Sequence, residues 1–324
     1  MLRLGLCCTF HEAPIKLRHT TAAYVLRQPP EARMPFIEAI VAHNAETLAR
    51  AVEWCAANGI FAYRISNTIV PLVTHPQVRF RLDDLAPPLL DALRRAGELA
   101  RRLGVRLSFH PDQFVVLSSA TPAVLQSGLG ELEHIAILAE LLGVEQMTVH
   151  GGGATGGKPA ATERLLRGID ELSERARRYL VLENDDRTWT VADLLPVVRA
   201  TGVPLVYDVH HHRCNPDGLS KLEATEMAIA SWGNREPWAH LSSPLEGWSG
   251  TKPQRHADRI DPADVPWIWR GRRLTVDVEA KHKEVAVLAL RRELIARGWP
   301  VVTSGSRTRS NAARPSSRAR VSRS

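Results

Sequence analysis

Imidazoles and carboxylates recur in this 324-residue sequence at the ends of short β-rich runs. RLSFH closes on His110, TVH on His150, LVLE on Glu183 and LVYD on Asp208, while WAHL contains His240 and TVDVE closes on Glu279. A lone histidine after a strand is ordinarily a hydrogen-bonded structural residue. Six such runs in succession argue for shared chemistry, because uncompensated carboxylates at apolar strand ends are costly to bury. Divalent cations remove that cost, and neutral imidazoles and carboxylates are their usual ligands. His75 in PLVTHP and His256 in QRHAD lie in loops that can reach the same place. Asp208 and His211 form a D-x-x-H pair that lets one short loop present two ligands. His210 and His212 are expected to point elsewhere, since adjacent side chains diverge in extended chain. Nitrogen and oxygen ligation without thiolate favours Mn²⁺, Zn²⁺ or Fe²⁺ over a structural zinc.

These groups need a scaffold that brings strand ends together. Eight β-rich runs are legible: 3–8, 61–66, 106–110, 146–150, 179–183, 204–208, 238–241 and 274–279. Between them lie stretches with helical spacing, at 36–58, 89–103, 122–142, 162–178 and 190–200, several of them stopped by glycine. Strand, helix and strand in repetition signal right-handed βαβ units, and eight of them predict a single (β/α)8 TIM barrel over residues 1–299. Such barrels keep their chemistry at the C-terminal ends of the strands, where all these groups would meet. A near P-loop, GGATGGKP at 152–159, has Pro159 where the magnesium-binding hydroxyl belongs, so no nucleotide cofactor is expected.

Composition sets few further limits. The chain is 44% hydrophobic and 24% charged, an ordinary balance for a globular protein. Its net charge of +7 is concentrated at the end, where residues 301–324 carry six arginines and no acid. Residues 300–324 therefore read as a disordered Arg/Ser-rich tail, with some non-specific affinity for phosphate. Cys7, Cys8, Cys55 and Cys214 fit neither a zinc pattern nor a disulfide framework; Cys214 is the one close to the histidine run. No apolar run approaches the roughly 20 residues of a membrane span. The N-terminal apolar patch stops at His11 and Glu12, too short for a secretory segment, which predicts a cytoplasmic location.

The motifs RISNTIVPLVTHP (64–76), FHPDQF (109–114), VHGGG (149–153), LENDDRTW (182–189), YDVHHH (207–212), HLSSP (240–244), RHADRID (255–261) and VEAKHK (278–283) resemble the UV-damage endonucleases. That family is related to endonuclease IV within the xylose-isomerase-like barrels. The resemblance implies three divalent cations, Mn²⁺ preferred with Zn²⁺ or Mg²⁺ possible. It implies hydrolysis of the phosphodiester immediately 5′ to a UV photoproduct in double-stranded DNA, leaving a 3′-hydroxyl, by a monomer. The implied ligands are His75, His110, His150, Glu183, Asp208, His211, His240, His256 and Glu279, with Glu183 bridging two cations. Glu183, Asp208, Glu279 and Lys281 would carry the catalysis, Lys281 by contacting phosphate or a carboxylate. Gln113 and Phe114 would probe the lesion. The chain departs from the family where a lysine stands two residues before the seventh-strand histidine, a place held here by Trp238. It departs again near the N-terminus, with Leu6 and Phe10 in a loop that recognises damage in relatives. Two other activities share the barrel: cleavage at abasic sites and sugar isomerisation.

Overall fold

A computed structural model describes residues 1–305. Eight parallel strands close into a barrel in sequence order. They are β1 (Leu2–Cys7), β2 (Ala62–Ile65), β3 (Arg106–Phe109), β4 (Gln146–His150), β5 (Leu180–Glu183), β6 (Leu205–Asp208), β7 (Trp238–Leu241) and β8 (Leu274–Val278). β8 closes on β1 with Leu2 opposite Leu274 and Gly5 opposite Asp277. The helices are α1 (Ala22–Leu26), α2 (Pro30–Ala57), α3 (Pro87–Leu103), α4 (Pro122–Leu142) and α5 (Lys158–Asp170). They continue with α6 (Glu174–Tyr179), α7 (Val191–Thr201), α8 (Val209–Cys214), α9 (Lys221–Ser231) and α10 (Lys283–Ala296). No helix among the described residues is long and apolar enough to cross a membrane.

Alternation along the strands separates two cores. One face of each strand packs outward against the helices, as Leu2, Leu4 and Leu6 of β1 do. The other face points into the barrel, where Ala62, Val181, Val206 and Trp238 form an apolar floor with Trp232. Two residues further along the same faces stand Arg64, Glu183, Asp208 and His240. The period of two thus turns an apolar floor into a polar mouth.

The opposite end of the barrel is closed by charge. Glu236 accepts from Arg3 at 2.9 Å, Arg273 at 2.8 Å and Thr275 at 2.7 Å, with Arg106 at 3.2 Å. Burial alone would raise the Glu236 carboxyl, but Arg106 and Arg3 bring it down to about 2. A carboxylate with a depressed folded pKa stabilises fully above its unfolded value, and that stability is lost as the pH falls through about 2. Glu236→Gln removes one partner of a buried network, at a cost of about 3 kcal/mol. The melting temperature should drop by roughly 5 °C at neutral pH, with less drop under acid, as calorimetry would show.

The helix expected at 36–58 begins already at Pro30, and three further differences bear on the site or the domain bounds. The stretch 162–178 is two helices, because Ser173 caps a new one by accepting from the Ala176 amide at 3.1 Å. The histidines after Asp208 lie on α8 rather than in extended chain. The barrel also does not end at residue 299. Leu2 donates to the Pro300 carbonyl, Val302 donates back to Leu2, and Val301 and Val302 are buried. Their apolar side chains set them apart from the Arg-rich stretch, whose remainder, 306–324, lies outside the described residues.

Candidate metal centre

Glu183 ends β5 fully buried, with imidazoles on every side. Its Oε2 lies 2.9 Å from His110 Nε2 and 3.6 Å from His150 Nε2. Its Oε1 lies 2.7 Å from His240 Nδ1 and 3.4 Å from His211 Nδ1. The ligating atoms of His110, His150 and Glu183 fall within 4.8 Å of one another, as do those of Glu183, Asp208 and His211. Glu183 is common to both groups. Glu279 joins from the end of β8, 3.5 Å from His240 and 3.8 Å from His256. Eight of the nine candidate ligands therefore form one connected set. His75 stands apart from it, half-buried in the loop after β2, its Nδ1 accepting from the Gln77 amide at 3.3 Å.

Local structure explains the D-x-x-H spacing. Asp208 is the N-cap of α8, and its Oδ1 accepts from the His211 amide at 2.7 Å. The cap turns His211 back toward Glu183. His212 points the other way, to the Tyr207 hydroxyl at 2.7 Å and Asp217 at 3.1 Å. His210 is buried between the rings of Trp248 and His256. His256 arrives on a short hairpin in which Ala257 donates to the Ser243 carbonyl and Leu245 to that of Arg255. The VHGGG motif makes room for Trp189: a Cβ on Gly151 would lie 2.5 Å from the indole, whose Nε1 donates to Gly152.

The set suits divalent cations. Asp208 Oδ2 and His150 Nδ1 are buried polar atoms with no hydrogen-bond partner among the described residues, a cost that a native fold does not ordinarily carry. Burial pushes the Glu183 carboxyl up, but His240 and His150 outweigh it and hold the group well below the usual range. Burial pushes Glu279 up too, and Arg64 brings it down. Burial holds His150 below the ordinary imidazole value, which favours the neutral ring a cation needs. Cys214 lies outside this chemistry, its thiol pushed up to about 11 by burial.

The other candidates have different settings. Lys281 is exposed, and its amide donates to the Ala257 carbonyl; no ion pair of its ammonium is found among the described residues. Gln113 and Phe114 occupy the tip of a turn closed by Val115 donating to Asp112, and Phe114 is 77% exposed. Leu6 packs outward among the helices, and Phe10 sits edge-on to Trp54 at 5.2 Å. Lys158 of the near P-loop is paired with Asp193.

This architecture has counterparts. The family model for the UV-endonuclease UvdE matches residues 2–304. The chain belongs to that family. The UV DNA damage endonuclease of Deinococcus radiodurans is 35% identical over 312 residues, covering 89% of this chain and 94% of the relative. The crystal structure of SacUVDE superposes with a TM-score of 0.80 at 26% identity, covering 93% of this chain and all (100%) of that one. Endonuclease IV from Thermus thermophilus, at 20% identity and a TM-score of 0.55, covers 77% of this chain and 93% of its own, and shares the fold.

Several residues of the centre had no assigned role in the sequence reading. Arg64, buried on β2, sits 2.7 Å from Glu279 and 2.9 Å from His240. A charged residue on the inward face of a short strand was the available signal. Asn184 holds Asp208 by both backbone groups, accepting from its amide at 3.0 Å and donating to its carbonyl at 2.9 Å. Trp238 fills the family's lysine place with an indole beneath the Arg106 guanidinium, 3.8 Å away. Asn184→Ala leaves two buried backbone groups unpaired, each costing about 1–3 kcal/mol. It should weaken cation binding about tenfold and lower the melting temperature, as titration and calorimetry on one preparation would show.

Proposed function

We propose that this chain nicks double-stranded DNA at UV photoproducts, hydrolysing the phosphodiester immediately 5′ to the lesion and leaving a 3′-hydroxyl. The observation that carries the reading is the shared carboxylate of Glu183 among four imidazoles at the barrel mouth. Family membership supports the same substrate. His75, His110, His150, Glu183, Asp208, His211, His240, His256 and Glu279 would hold the cations, three in number, with Mn²⁺ preferred over Zn²⁺ or Mg²⁺. When bound, such cations activate water and neutralise phosphate charge. The protein's part is to hold the carboxylates ionised and the rings oriented, which Arg64 does for Glu279 and the Asp208 cap does for His211. Lys281, exposed beyond β8, would meet a phosphate of the substrate.

Phe114 and Gln113 would enter the stack at the damaged step, where weakened stacking makes extrusion cheaper. A recess of about 280 Å³ beside the ends of β1 and β2, lined by Phe10, Lys16, Tyr63 and the Thr47 hydroxyl, which has no partner among the described residues, is of a size to receive an extruded pyrimidine. In this reading the barrel works as a cytoplasmic monomer without a nucleotide cofactor, and the Arg-rich tail adds phosphate affinity. A 5′-labelled duplex with one cyclobutane dimer tests it, beside abasic and undamaged duplexes, with Mn²⁺ and with chelator. A cut immediately 5′ to the dimer, lost with chelator, is the expected result. Cleavage of the abasic duplex alone would reassign the substrate, and no cleavage with cations bound would overturn the nuclease reading.

A further inference from the structure

His240 is wholly buried, and both of its ring nitrogens are engaged. Nδ1 faces Glu183 at 2.7 Å and Glu279 at 3.5 Å. Nε2 faces Arg64 Nη2 at 2.9 Å, with Asp277 Oδ2 at 3.8 Å. A guanidinium has donors and no acceptor, so Nε2 accepts here and the ring proton sits on Nδ1, donated to Glu183. That tautomer offers no lone pair toward the other ligands. A ring that ligates through Nδ1 carries its proton on Nε2 and must donate it there, ordinarily to a carboxylate or carbonyl. Arg64 cannot receive it.

We propose that Asp277 is the positioning residue that accepts the Nε2–H of His240 when the centre is loaded, fixing the ring with Nδ1 toward the cation. The inference rests on His240 being a ligand, as the proposed function has it. The carboxylate is built in place for this. Asp277 is opposite His240 in the β7–β8 register and is 1% exposed. Its Oδ1 accepts from the Trp238 indole at 3.2 Å, and its Oδ2 from Arg64 Nε at 3.2 Å. Across the barrel seam stands Gly5, where a Cβ would lie 2.3 Å from Asp277 Oδ1. The residue at position 5 thus leaves the space that the carboxylate occupies. Trp238 and Arg64 hold Asp277 from two sides, and Arg64 can release Nε2 while keeping its pairs with Asp277 and Glu279.

A double-mutant cycle on Mn²⁺ binding to the purified full chain tests this, read by calorimetric titration and by metal analysis. His240→Gln removes the ligand, Asp277→Asn removes the anionic acceptor, and the double variant removes both. Asp277→Asn is expected to weaken binding of one cation about 10–100-fold. It should add nothing measurable on top of His240→Gln. Wild-type affinity in Asp277→Asn, or a loss fully additive with that of His240→Gln, would overturn the proposal and leave Asp277 a structural residue. Unchanged binding in His240→Gln would instead overturn the ligand reading beneath it. Trp238→Phe guards against misfolding: it keeps an aromatic ring there but loses the N–H on Asp277, frees one side of the carboxylate, and should weaken binding about threefold, again non-additively with His240→Gln. Full additivity there would count equally against Asp277.

Discussion

Replacing Glu183 with glutamine is expected to lower nicking of dimer-containing duplex by roughly a thousandfold or more. The size follows from its place. Asp208 and His211 belong to one candidate cation group and His110 and His150 to the other, whereas Glu183 belongs to both. An amide there keeps one acceptor oxygen but turns a donor toward rings that need an anion. In the metal-free chain His110 and His240, which face its two oxygens at 2.9 and 2.7 Å, cannot both keep their acceptors. Metal analysis separates this from a general loss of fold. Glu183→Gln should lose more bound cation per chain than Asp208→Asn, which breaks into one group only. Equal losses, or wild-type nicking with a full complement of cation, would remove Glu183 from the bridging role. Melting of the metal-free variant should be read alongside, because each unpaired buried donor costs about 1–3 kcal/mol of stability on its own.

The barrel was legible in the sequence because each strand is a short apolar run and several helices stop at glycine. Gly104 and Gly143 do adopt the left-handed conformation, at φ 71° and 66°. The same runs displayed most of the centre, since a strand that ends in His150 or Glu183 carries its candidate ligand at the place the fold makes functional. What stayed hidden depends on which strand faces which. Arg64 and Asp277 meet only when β2, β1 and β8 close side by side, and nothing in RISN or TVDV states that register. The residues after Asp208 form a helix where the sequence expectation had extended chain. The capping geometry of a carboxylate three residues before His211 was the overlooked cue. Trp238 shows the reverse. The resemblance marks it as a departure from a lysine, and the structure supplies the reason it is tolerated: its indole reaches Asp277, and its ring lies beneath the Arg106 guanidinium.

Alanine at both Gln113 and Phe114 is expected to lower kcat/KM on a single-dimer duplex about a hundredfold, with melting temperature and cation content unchanged. Stacking of one base on an aromatic ring is worth about 1–3 kcal/mol, and the amide adds its hydrogen bonds to exposed edges. Phe114 is 77% exposed, so the core loses nothing with it. The turn that carries it is nonetheless fixed. Pro111 and Val115 are buried on either side, Val115 donates to the Asp112 carbonyl at 2.9 Å, and His110 anchors its start at the centre through Glu183. A side chain held out from a turn anchored at the candidate metal centre is what wedging into a helix beside the scissile bond would require. The substrate comparison decides between wedge and general DNA contact. An abasic duplex already lacks the base that a wedging Phe114 would displace, so any cleavage of it should fall much less in the double variant. Losses of equal size on both duplexes would make the turn a non-specific DNA contact and leave damage recognition to the recess beside Phe10 and Lys16.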